Sequence, residues 1–253
     1  MNQHVKWHLL FVLAIWAVLT LVGYLIVMLI DPFPVAASEE AVVVDEAFTL
    51  LTLMSVPVFT FVVSVLLYSA FRFRIRSAAP SGDGPSIRYV APVVIGWFVI
   101  TSALTGVMIV HPGITGLNEI RHMAEEPVDM VIELEGRRFF WNVHYTQQGV
   151  TSFTELVLPI DAHVHFRITS HDVLHSFWIP AFRVKIDAVP GSWTTINATP
   201  NEFGTFEEDA NFRVQCAELC GAGHASMAIP VRVVSQQEFD EWIGEQTTVG
   251  LAR

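Results

Sequence analysis

The chain has 253 residues, 52% of them hydrophobic and only 15% charged, with a formal net charge of −11. That composition is too apolar for a single soluble domain and directs attention to membrane segments. The acidic balance argues against nucleic acid as a partner, because a phosphate backbone is repelled by a negative surface.

Three uninterrupted apolar stretches come first: residues 9–30, 48–71 and 89–110. Each is long enough to cross a hydrocarbon core of about 30 Å as a helix, and none carries Asp, Glu, Lys or Arg. Pro57 lies inside the second and Pro92 near the start of the third, positions a membrane helix tolerates with a local kink. Val35-Ala-Ala37 before Ser38 resembles a small-residue cleavage site, but the first apolar core exceeds the roughly 7–15 residues of a signal peptide, so it is read as a retained anchor. Residues 1–111 therefore form a membrane part. The segment between the second and third spans holds Arg72, Arg74, Arg76 and Arg88, while residues 31–47 hold five acids and no base. By the positive-inside rule the arginine loop is cytoplasmic, which puts the N-terminus inside and everything after His111 outside a multi-pass cell membrane.

Residues 112–127 read as a linker, 128–236 as a β domain, and 237–253 as a C-terminal helix and tail. Period-two alternation in Val128-Asp-Met-Val-Ile-Glu-Leu134 and Val164-His-Phe-Arg-Ile168 predicts half-buried strands. Further β-rich runs at 154–158, 193–198, 212–216 and 228–234, separated by turn residues, predict a small antiparallel sandwich or barrel. Ser235-Gln-Gln-Glu238 is a capping box that opens a helix running to about Glu245. Residues 111–253 carry 19 acidic and nine basic residues, nearly all of the net charge. A surface of that sign attracts a basic protein by long-range steering.

The segment with the most chemistry is Cys216-Ala-Glu218-Leu-Cys220-Gly-Ala-Gly-His224-Ala-Ser-Met227, which contains both cysteines of the chain. On spacing alone the pair could be a disulfide, but a disulfide has no use for the imidazole and thioether that follow. Soft sulfur ligands with imidazole and a weak Met suit copper. A mononuclear blue-copper site needs one Cys, so two thiolates point to a bridged pair of metals. Each metal then needs a nitrogen ligand, and the second histidine must come from outside the loop. His163, His165, His171 and His175 are the candidates, and ligand chemistry alone does not choose among them.

Asp172-Val-Leu-His175-Ser-Phe, then Lys185-Ile-Asp-Ala-Val-Pro-Gly191, then the Cys216 to Met227 loop together resemble subunit II of the cytochrome c oxidases. That resemblance implies a cupredoxin-like Greek-key sandwich carrying a dinuclear copper centre, CuA, behind transmembrane helices. It implies bridging by Cys216 and Cys220, terminal ligation by His175 and His224, and weak ligation by Met227 and the Glu218 carbonyl. It also implies a magnesium ion on the Glu218 side chain at the contact with subunit I. The expected partners are subunit I with its haem and the other membrane subunits of a respiratory oxidase that reduces oxygen and pumps protons. Cytochrome c or a similar carrier donates on the outer face, a basic cytochrome c being favoured. The remaining histidines, His163, His165 and His171, have no place in the pattern and read as strand or surface residues. In the family the electron-accepting segment is often Gly-His-Gln-Trp-Tyr-Trp; here it is Gly136-Arg-Arg138-Phe139-Phe140-Trp141, which makes Phe139 and Trp141 the candidates for that role. Before the third span many relatives carry a glutamate at a proton channel, whereas this chain has Gly84-Pro-Ser-Ile-Arg88-Tyr89, so no proton-uptake residue is assigned. The alternatives are the CuA subunit of a nitric oxide reductase, a membrane-tethered copper-delivery protein, or a disulfide-stapled scaffold.

Overall fold

The computed structural model describes residues 3–30, 33–74 and 90–251. Arg76, Asp83, Arg88 and the stretch 84–89 lie outside the described residues, as does Asp31. The chain divides into two compact units. One comprises Met1–Pro32 with Glu46–Thr115, the other Phe33–Asp45 with Gly116–Arg253.

The first unit is helical. Helices α1 (Gln3–Leu29), α2 (Glu39–Arg72, of which the part from Glu46 belongs here) and α3 (Ala91–Met108) are long and apolar enough to cross a membrane, so the apolar stretches are helices as expected. Helix α2 starts at Glu39, earlier than the apolar run at Phe48, because Glu39 and Glu40 suit the positive end of a helix dipole. Helices α1 and α2 meet through aromatic rings, such as Phe11 against Tyr68 and Trp16 against Phe61, and through polar groups. Trp16 Nε1 donates to the Pro57 carbonyl at 2.8 Å, and the hydroxyls of Thr20 and Thr60 meet at 2.7 Å. In a hydrocarbon surrounding such groups must find partners within the protein. The helical path of α3 breaks at His111, whose φ and ψ are −139° and 120°, because the ring of Pro112 disfavours helical geometry in the residue before it.

The second unit is a two-sheet β sandwich. In the stretch read as a linker, residues 115–124 form helix α4 (Thr115–Ala124). The first sheet has strand order β3-β2-β1-β5-β8, built from β1 (Met130–Arg137), β2 (Phe140–Tyr145), β3 (Val150–Ser152), β5 (Val164–Ser170) and β8 (Thr194–Ala198). The second runs β4-β11-β10-β6-β7, with β4 (Leu156–Pro159), β6 (His175–Ile179), β7 (Val184–Ala188), β10 (Arg213–Cys216) and β11 (Ala228–Val234), while β9 (Gly204–Thr205) pairs with β11. The sandwich is not wholly antiparallel: β1 pairs with β5, and β11 with β4, in parallel. Strand β1 alternates buried and half-buried residues, as its sequence predicts, and aromatic side chains interlock across the core. The ring of Phe177 from β6 meets Phe166 of β5 at 5.2 Å and Trp141 of β2 edge-on at 6.4 Å. Helix α5 (Gln236–Leu251) starts directly after Ser235 of the capping box and continues past Glu245.

Arg183, left-handed at φ 57°, holds the segment 33–45 against this sandwich. Its guanidinium meets both carboxylate oxygens of Asp45 at 2.8 and 2.7 Å and donates to the carbonyls of Pro34 and Pro180.

Candidate metal centre

Strands β10 and β11 form a hairpin in register Gln215↔Ala228, and the loop that joins them is residues 217–227. Its ends are closed by the Cys216 N–H, which donates to the Met227 carbonyl at 2.9 Å. On the other side of β10, Cys216 pairs with Phe177 of β6. His175 opens β6 two residues before Phe177, so strand pairing alone delivers a distant imidazole to the loop.

The donor atoms converge. Cys216 and Cys220 Sγ lie 3.9 Å apart, nearly twice a disulfide bond length, and both are buried free thiols. His175 Nδ1 is 3.8 Å from Cys216 Sγ, and His224 Nδ1 is 3.7 Å from Cys220 Sγ. Met227 Sδ is 3.9 Å from Cys220 Sγ, and the Glu218 carbonyl oxygen 3.3 Å from Cys216 Sγ. These separations suit metal ligands: the edge of a tetrahedron whose corners lie about 2.2 Å from its centre is roughly 3.6 Å. His175, Cys216 and Cys220 satisfy a metal-cluster geometry with all three donors within 4.8 Å and all three residues buried. Burial, followed by the neighbouring Cys216 thiol, pushes the Cys220 thiol up to about 11. Two thiolates this close need a cation between them, so binding of a soft metal there must expel protons. The site thus fits copper by donor type and by spacing. The Glu218 backbone carbonyl thus faces the cluster.

His175 is wholly buried, and its other ring nitrogen is held by Asp172, whose Oδ1 lies 2.9 Å from His175 Nε2. Asp172 also accepts from the Val173 N–H at 2.7 Å, the Arg138 N–H at 2.9 Å and Arg138 Nε at 3.3 Å. Desolvation pushes this carboxyl upward, but the hydrogen bonds from the Arg138 backbone, His175, Val173 and the Arg138 side chain outweigh it and hold it well below the usual carboxylate range. Asp172 therefore fixes the imidazole so that Nδ1 faces the sulfurs, a role the sequence reading did not assign; its position three residues before His175 was the available signal.

The two aromatic candidates lie in different surroundings. Trp141 is fully buried, edge-on to His175 with centroids 6.1 Å apart. Phe139 is half-buried and lies over the metal loop, where a β-carbon on Gly223 would come within 2.4 Å of its ring and one on Gly221 within 3.2 Å. A side chain at Gly223 would have to displace the ring, and one at Gly221 would also be strained by a backbone φ of 135°. Gly136 likewise lets β1 approach the imidazole, since a β-carbon there would sit 3.0 Å from His175 Cδ2.

The remaining histidines are engaged elsewhere. His163 is buried between Thr199 Oγ1 and Asn197 Nδ2, His165 bonds Asn197 Oδ1, and exposed His171 pairs with Glu135 at 3.0 Å.

Known proteins resemble this chain in sequence. The family profile described as "Cytochrome C oxidase subunit II, periplasmic domain" matches residues 148–234. The heme-copper oxidase subunit 2 of Aeropyrum pernix is 30% identical over 76% of this chain and 85% of its own length. The cytochrome c oxidase subunit 2 of Synechocystis sp. is 28% identical over 83% of this chain and 74% of its own. Among solved structures, the periplasmic domain of subunit II of cytochrome oxidase (CoxB) of Bradyrhizobium japonicum is 29% identical, with 49% of this chain and 96% of that one covered at a TM-score of 0.45. With a membrane-length helical part, a β sandwich and a His/Cys/Cys cluster in one chain, the protein belongs to the cytochrome c oxidase subunit II family.

Proposed function

We propose that this chain is the electron-accepting subunit of a respiratory haem-copper oxidase, taking one electron at a time from a cytochrome c or similar carrier outside the membrane and passing it toward haem in subunit I. The observation that carries this reading is the convergence of two free thiols, two imidazoles, a thioether and a carbonyl on one buried site. Cys216 and Cys220 would bridge two coppers, with His175 and His224 as terminal ligands and Met227 and the Glu218 carbonyl as weak ones. When bound, such a pair supplies a one-electron site in which the charge is shared by both metals.

The protein's part is to keep the donors from moving. The 2.9 Å hydrogen bond between Cys216 and Met227 closes the loop, β6 is paired on one side of β10, and Asp172 holds His175 in one orientation. A ligand set braced in this way changes little on gaining an electron, which keeps transfer fast. The Glu218 carboxylate, not needed by the cluster, is left to a magnesium ion at the contact with subunit I. The arginines after α2 support a cytoplasmic N-terminus, with the sandwich on the periplasmic or extracellular side. Oxygen reduction and proton pumping belong to other subunits of the complex.

The test is metal stoichiometry on the purified complex, together with electron paramagnetic resonance. Two coppers per copy of this chain and a signal shared by two nuclei are expected; one copper, or none, refutes the proposal. Oxygen uptake by the complex, inhibited when Cys216 is replaced, distinguishes an oxidase from a nitric oxide reductase.

A further inference from the structure

Strand β1 turns alternate side chains inward, burying Met130, Ile132 and Leu134 in succession, and the next inward position is Gly136. A glycine inside a strand weakens it and leaves nothing to pack, so its place there needs a physical reason. Backbone conformation does not supply one, since the left-handed glycines among the described residues are Gly149, Gly191 and Gly221. Space does. A β-carbon on Gly136 would lie 3.0 Å from His175 Cδ2, 3.3 Å from His175 Cγ and 3.2 Å from Trp141 Cζ3. The two sheets meet here, β1 and β2 contributing the glycine and the indole, and β6 the imidazole that faces the sulfurs.

The walls of this slot are held in place. Gly136 pairs with Trp141 of β2 on one side and with Ser170 of β5 on the other, and its carbonyl accepts from the His171 N–H at 3.1 Å. The fully buried indole is also edge-on to Phe177 at 6.4 Å. Its Nε1 is buried with no acceptor among the described residues, so packing alone fixes that ring. The imidazole is tied through Nε2 to Asp172. A methyl group at position 136 would have to move one of these neighbours by a few tenths of an ångström. Ligand distances in a metal site are set to within about 0.2 Å, so a shift of that size matters if the imidazole takes it. The ring is rigid, and a displacement at Cδ2 is carried to Nδ1.

Resting on the function proposed above, we infer that Gly136 is a positioning residue for the copper centre: the space it leaves, backed by Trp141, sets where His175 Nδ1 stands relative to Cys216 Sγ. Asp172 fixes the imidazole at one nitrogen by a hydrogen bond, and the Gly136 slot fixes the rest of the ring by shape. A nitrogen donor pushed off its place is a weaker ligand. Oxidised copper loses more by that than reduced copper, which the soft sulfurs favour, so the reduction potential rises.

The experiment uses the full chain purified in detergent after its two-copper signal has been verified, so that failure of the function itself is seen before any variant is compared. Gly136→Ala is expected to retain both coppers, to bind them about tenfold more weakly in competition with a chelator, and to show a raised reduction potential. Metal-free Gly136→Ala should melt within about 3 °C of the parent, because alanine is the better strand residue; that separates a displaced ligand from a damaged fold. When Trp141→Phe is added, the smaller ring gives the methyl group room, and affinity and potential should return to those of Trp141→Phe alone. Copper affinity within about twofold of the parent with an unmoved potential, a loss of copper accompanied by collapse of the metal-free fold, or a double variant as weak as Gly136→Ala would each overturn the inference.

Discussion

Replacing Asp172 by alanine tests the geometry of the site without touching a metal donor. The carboxylate accepts five hydrogen bonds, from His175 Nε2 at 2.9 Å, the Val173 N–H at 2.7 Å, the Arg138 N–H at 2.9 Å, Arg138 Nε at 3.3 Å and the Ser170 hydroxyl at 3.4 Å. In Asp172→Ala the Nε2 of a fully buried imidazole loses its side-chain acceptor, and the anchor that turns Nδ1 toward Cys216 is gone. Loss of such an orienting partner typically costs about 10–100-fold in metal affinity, or roughly 1.4–2.8 kcal/mol. Asp172→Asn keeps one oxygen for His175 and Val173 but turns an amide NH2 toward the two Arg138 donors, so its loss should be smaller, under about tenfold. Copper affinity measured by competition with a chelator of known strength gives the number directly, and thermal melting of metal-free protein controls for folding. If Asp172→Ala binds copper within about twofold of the parent protein, His175 is oriented by packing alone and the argument fails.

Cys216→Ser and Cys220→Ser should each abolish the two-copper signal, whereas Met227→Leu should retain copper with a shifted reduction potential, because a weak axial ligand tunes a copper site more than it builds one; metal analysis and potentiometry distinguish the two outcomes. Arg183→Ala leaves the Asp45 carboxylate unpaired in a largely buried position, an expected loss of about 3–5 kcal/mol, while the double change with Asp45→Ala should lose less, read by denaturant unfolding of the sandwich. Glu238 accepts from the Ser235 backbone N–H at 2.9 Å and its hydroxyl at 2.8 Å, and these bonds lower its pKa. A depressed carboxylate stabilises the fold above its unfolded value of about 4.3 and loses that contribution as the pH falls through the folded value, so the protection of α5 amides relative to their intrinsic exchange rates should fall in acid, and Glu238→Ala should remove that fall.

Features set by short stretches of chain were legible in the sequence. Membrane-length helices follow from apolar runs, because no water is available to hydrogen-bond an exposed backbone there. The metal loop is local too: two thiols, an imidazole and a thioether within twelve residues carry their chemistry in their spacing. The capping box is a four-residue signal, and α5 begins at Gln236, directly after its Ser235 cap. Strand β1 alternates over its length, but β6 is buried nearly throughout, with no period to read. Helix α4 lies in a stretch read as linker, and the start of α2 at Glu39 follows its acidic first turn rather than the hydropathy that marked Phe48.

What the tertiary structure decided is which distant residues meet. Donor chemistry left four histidines open, and resemblance pointed to His175. The pairing of Cys216 with Phe177 is what carries that imidazole to the sulfurs, while His163, His165 and His171 bond elsewhere. One aromatic segment likewise divides in space: Trp141 faces the core and Phe139 lies over the loop, a difference of register that composition does not encode. The Arg138–Asp172 contact, which braces the buried imidazole's partner, spans 34 residues of chain. Local sequence could name the donor atoms because their chemistry is intrinsic to each side chain. Their orientation, and the charge that surrounds them, arise from strand pairing between segments that only folding brings together.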